Sequence, residues 1–157
     1  MSETTIAPTT EKTPEKAPEK AAPKSTPISK EAAEDQIAAL YDAFDVPLER
    51  GPRDLLIKAA MNGRLEITGA GDDIKIQQRL KRAVAGQSML TWNWLRLGMG
   101  KAQMSFMQGD SGSKLAVFDG QYKMASPMVG IETTAIHGMH PSDLTVLEDV
   151  ASFFQAI

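Results

Sequence analysis

Apolar residues take helical spacing from Ser29 onward. Ile37, Leu40, Tyr41 and Phe44 fall at i, i+3, i+4 and i+7, one face of a helix. Ser29 suits the N-cap, Ile28 can staple the helix start, and Pro47 requires the helix to end before it. A second helix is predicted in GPRDLLIKAAMNG, with Pro52 at its first position, a stripe of Leu55, Leu56, Ala59 and Ala60, and Gly63 as the stop. The period then changes to two. Leu65 and Ile67 lie on one side of GAGDD and Ile74 and Ile76 on the other, the pattern of a hairpin with a glycine-rich turn. In MLTWNWLRL the alternation puts Leu90, Trp92 and Trp94 on one face of a third strand, with a helix as the alternative.

Further along, a short helix is expected from Ala102 to Met107. KLAVFDGQYKMASPMVG reads either as one helix ending near Pro127 or as a strand and a helix. Gly130 and Ile131 precede a short helix in ETTAIHG. Pro141 then suits the first position of a last helix, with Asp143 in its first turn complementing the helix dipole. Leu144, Leu147, Ala151 and Phe154 share a face of that helix, and Val150 and Phe153 lie beside it.

Residues 1–28 have a different character. TEKTPEKAPEKAAPKSTP repeats Pro, Glu and Lys and offers little to bury, so a disordered tail is expected there. Residues 29–157 are read as a single α+β domain: N-terminal helices, a small antiparallel sheet, then C-terminal helices.

Composition narrows the chemistry. The absence of cysteine excludes disulfides, thiol nucleophiles and thiolate metal sites. No apolar run reaches the roughly 20 residues of a membrane helix, and MSETTIAPTT has neither the basic start nor the apolar core of a signal peptide. A cytoplasmic protein without a membrane partner is expected. His137 and His140 form an H-x-x-H pair, but Gly138 and Pro141 interrupt any helix that would align them, and no third ligand stands nearby. GAGDD matches neither a phosphate loop nor a dinucleotide turn, and Asp72 and Asp73 would repel phosphate. The serines of DSGS have no G-x-S-x-G setting. The reading is therefore of a protein that is not an enzyme and holds neither metal nor cofactor.

The net charge of −3 conceals an asymmetry. Between Ile74 and Gly109 stand six basic residues (Lys75, Arg79, Lys81, Arg82, Arg96, Lys101) and no acid, whereas Met124–Ile157 holds four acids (Glu132, Asp143, Glu148, Asp149) and no lysine or arginine. The basic segment 75–101, with Trp92, Trp94 and Arg96 as an interaction face, would suit a small nucleic-acid-binding regulator. Alternation favours core positions for the tryptophans, which disfavours nucleic acid as a partner.

Two stretches resemble the tail assembly chaperones of Mu-like and related long-tailed phages. In DLLIKAAMNGRLEITGAGDDIKIQQRL the match lies at Leu56, Ile57, Gly63, Leu65, Ile67 and Leu80. In GIETTAIHGMHPSDLTVLEDVASFF it lies at Gly130, Ile131, Ile136, Pro141, Asp143, Leu144, Leu147, Val150, Phe153 and Phe154. Between them the family often has an R-[RK]-P-[TS]-x-[GA]-D turn, where this chain has LRLGMGKAQ. The resemblance implies a non-catalytic factor in the host cytoplasm that coats the tape-measure protein and helps the tail-tube protein polymerise around it. It leaves self-association and a frameshifted longer product open. The alternative within the same setting is a structural component of the virion tail. On this reading the client meets Leu147, Val150, Phe153 and Phe154, whose rival fate is the domain's own core.

Overall fold

The computed structural model describes residues 26–96 and 114–157. Most of the predicted tail, the predicted helix Ala102–Met107 and Lys101 lie outside the described residues. The architecture is α+β, with five α-helices and a three-stranded antiparallel sheet among the described residues. Helix α1 spans Lys30–Ala43, and the Ser29 hydroxyl accepts from the Ala32 amide at 3.2 Å as its cap. Helix α2 spans Arg53–Met61. The strands are β1 (Leu65–Thr68), β2 (Lys75–Val84) and β3 (Gln87–Trp92), in that spatial order. Helices α3 (Lys114–Val129), α4 (Thr133–His137) and α5 (Pro141–Gln155) complete the chain. No helix among the described residues is long and apolar enough to cross a membrane.

Helix α2 turns directly into β1. The Gly63 amide donates to Ala60 and the Arg64 amide to Ala59, with Gly63 at φ +65°, which is a Schellman stop. The predicted hairpin follows, with Ile67 opposite Ile76 and Leu65 opposite Gln78. Gly69 in its turn has φ +83°, and a Cβ there would run into the Asp73 carbonyl, so the turn needs glycine. Three sequence expectations shift. In α2 the buried residues are Leu56, Ile57, Ala59 and Ala60, while Leu55 is 50% exposed at the edge of the stripe; Pro52 caps the helix instead of opening it. β3 stops at Trp92, because Trp94 begins a turn of 3₁₀ helix, Trp94–Arg96. Of the two readings of 114–130, the single helix holds; Pro127 is accommodated in its last turn, and the Gly130 amide closes onto Ser126 at 2.9 Å.

The helices pack on one face of the sheet, formed by Leu65, Ile67, Ile76, Leu80, Leu90 and Trp92. At the centre is an aromatic cluster. Phe44 meets Trp94, Phe153 and Phe154 edge-on at 5.5, 5.6 and 5.5 Å between ring centroids, Tyr41 meets Phe153 at 5.0 Å, and Trp92 stacks on Phe154 at 6.0 Å. Leu147, Val150, Phe153 and Phe154 are each no more than 1% exposed. The client-binding role assigned to these four is therefore corrected: as folded, they offer a partner no surface. An amphipathic terminal helix must bury its stripe somewhere, and here it does so on α2, α3 and the sheet, with Tyr41 of α1 against Phe153.

One buried carboxylate fastens this helix. Along β2 the pairing with β3 runs regularly to Arg79↔Met89 and resumes at Val84↔Gln87, so residues 80–83 bulge opposite Ser88. The bulge lets two successive amides face the same way. Lys81 N–H donates to both Asp143 oxygens at 2.9 and 3.1 Å, and Arg82 N–H to one at 3.3 Å. The Arg64 guanidinium ion-pairs with the same carboxylate, and the Gln78 amide donates to the Asp143 carbonyl at 2.7 Å. Asp143 is fully buried.

Removing the carboxylate strands a part-buried guanidinium and two amides. Asp143→Ala is expected to destabilise the fold by about 3–5 kcal/mol in urea denaturation; a loss under ~1 kcal/mol would refute the fastening role. Phe154→Ala should cost about 3–5 kcal/mol. Truncation after Asp149 should abolish cooperative unfolding altogether, and a truncated chain with a sharp urea transition would show that the aromatic cluster is dispensable.

Candidate interaction groove

Of the residues expected to form a second interaction face, Trp92 is in the core, Trp94 is half-buried against Phe44, and Arg96 is exposed. They do not form one surface, because the chain turns into the 3₁₀ segment after Trp92. The basic residues of β2 are also dispersed. Lys75 lies at one end of the strand and Lys81 and Arg82 at the other, roughly 20 Å apart at ~3.3 Å per residue. The two histidines have separate structural settings. His140 caps α5, its Nδ1 accepting from the Ser142 amide at 3.2 Å, and His137 packs edge-on to Tyr122 at 5.3 Å. No cluster of three or more metal-ligating side chains occurs among the described residues.

A different surface brings apolar side chains to solvent. Helices α3, α4 and α5 leave an open groove of about 470 Å³ between them, lined by Phe118, Asp119, Tyr122, His137, Leu144 and Glu148. Phe118, Asp119 and Tyr122 share a face of α3 by the three-to-four spacing, and Leu144 and Glu148 share one on α5. Phe118 is 40% exposed, while Leu144 is half-buried against the core. Below the groove Gln121 ties α3 to α5, donating to the Ser152 hydroxyl at 2.9 Å. Within it the Tyr122 hydroxyl donates to Glu148 Oε1 at 2.6 Å, and Lys123 pairs with Asp119 at 2.6 Å on the α3 rim. Burial, reinforced by that bond to Glu148, pushes the Tyr122 phenol up to about 12, so it remains a donor throughout the neutral range. The groove is a docking shape, apolar in its floor with a fixed carboxylate on one wall.

Sequence reasoning missed this surface because α3 was not assigned as a helix with certainty. Gly120 and Pro127 weaken its pattern, and only a helix sets Phe118 beside Tyr122.

Asp149, next to Glu148, is half-buried, and burial together with the Glu148 charge pushes its carboxyl from 3.8 up to about 6. A raised carboxyl holds its proton more tightly in the folded chain. Its cost to stability is therefore absent below the unfolded value and grows as pH rises from 3.8 through about 6. Asp149→Asn should gain on the order of 1 kcal/mol at neutral pH, after allowance for solvent screening, and nothing at acid pH below the unfolded value. Urea titrations at the two pH values check this, and an equal effect at both would contradict it. Comparison of the chain with family models, with curated proteins and with solved structures finds no match.

Proposed function

We propose that this chain is a non-catalytic phage tail assembly chaperone, which binds the tape-measure protein in the host cytoplasm and assists polymerisation of the tail-tube protein. The observation that carries the reading is the open apolar groove between α3, α4 and α5. A long helical client exposes apolar seams that aggregate until the tube encloses them. A groove with Phe118 and Leu144 in its floor covers such a seam by the helix-in-groove mode. The sequence resemblance in residues 54–80 and 130–154 supplies the setting. The groove takes over the client-binding role first assigned to the buried phenylalanines.

A second reading, a nucleic-acid-binding regulator, draws on Lys75, Lys81 and Arg82, which are exposed along β2. It requires binding that weakens steeply with salt.

Affinity capture of the tagged chain from cells expressing its whole gene cluster, followed by mass spectrometry, tests the first reading. The expected result is a long helical protein, carried at several copies of the chain per client and lost with Phe118→Asp. Recovery of nucleic acid alone, or of no protein, would overturn it.

A further inference from the structure

Resting on the reading of the groove as a client site, we infer that its occupant is a segment presenting an apolar anchor with a lysine or arginine about one helical turn away. The anchor follows from the floor, where Phe118 and Leu144 leave apolar surface uncovered. The cation follows from the walls. On α3, Asp119 is already neutralised by Lys123. On α5, one Glu148 oxygen is held by Tyr122, and the carboxylate enters no ion pair among the described residues. Helices α4 and α5 do not supply a cation themselves: Met124–Ile157 has four acids and no lysine or arginine, and among the described ion pairs only Asp143 of these acids has a guanidinium partner. His137 lines the groove opposite on α4 and is exposed.

The geometry therefore selects among apolar segments by charge. A basic flank would pair with Glu148 while the anchor displaces water from Phe118. An acidic flank would face Glu148 and be repelled. Tyr122 holds the carboxylate in place, so little side-chain freedom is lost on binding.

The test uses the full chain and two fluorescent amphipathic peptides of about 18 residues, five helical turns. Both carry the same leucine seam, flanked in one by lysines and in the other by glutamates. Anisotropy titrations should show the lysine peptide binding at least ~10-fold more tightly. Glu148→Gln should weaken that peptide by about 3-fold while leaving the glutamate peptide unweakened. Phe118→Ser, checked for native circular dichroism, should weaken both peptides alike. Equal binding of the two peptides, a preference for glutamate, or no effect of Phe118→Ser would overturn the proposal. A chain that binds neither peptide yet captures a tape-measure protein from cells would refute this groove chemistry and spare the assembly role. Peptide discrimination without any captured client would do the reverse.

Discussion

The Asp143 carboxylate is the point on which the arrangement of the domain depends. It joins three parts of the chain that are far apart in sequence: the stop of α2 at Arg64, the bulged edge of β2 at Lys81 and Arg82, and the first turn of α5. A buried charge is costly unless its partners satisfy it, and here a guanidinium and two amides do so. The bulge and the carboxylate require each other. Without the bulge, successive β2 amides would point to opposite sides; without Asp143, two amides would stand unpaired where β1 no longer covers the strand. Arg64 extends the join, since its Nε donates to the Arg79 carbonyl and its own carbonyl accepts from the Arg79 amide.

Helix α5 is held at this join by its first turn. It runs over the sheet and delivers Phe153 and Phe154 between α1 and β3, where six of the chain's nine aromatic residues gather. That direction leaves the opposite side of α5, with Leu144 and Glu148, to form the groove with α3 and α4. The charged clamp at one end and the aromatic cluster at the other thus decide which residues remain outside for a partner.

Much of this was legible from spacing. The cap at Ser29, the hairpin about GAGDD and the Pro141 helix start are local signals, and each is found in place. Partnership was not legible. An apolar stripe declares that a helix packs, but not on what, so the spacing of Phe153 and Phe154 leaves both client contact and core open. Asp143 read as a dipole complement because first-turn acids are common; its burial depends on a bulge some 60 residues earlier that no periodicity announces. Alternation puts Trp94 on the Trp92 face because it carries no sign of where a strand stops.

The lateness of α5 in the sequence has a consequence for how the domain is made. During synthesis, at roughly 5–20 residues per second, α1 to β3 emerge first, with Leu56, Ile76, Leu90 and Trp92 lacking the helix that covers them. The contacts that bury them are long-range, such as Trp92 with Phe154, and slow to close. A newly made copy therefore passes through a stage in which its own sheet is an exposed apolar surface, and that surface is covered only once α5 has emerged and folded back onto it.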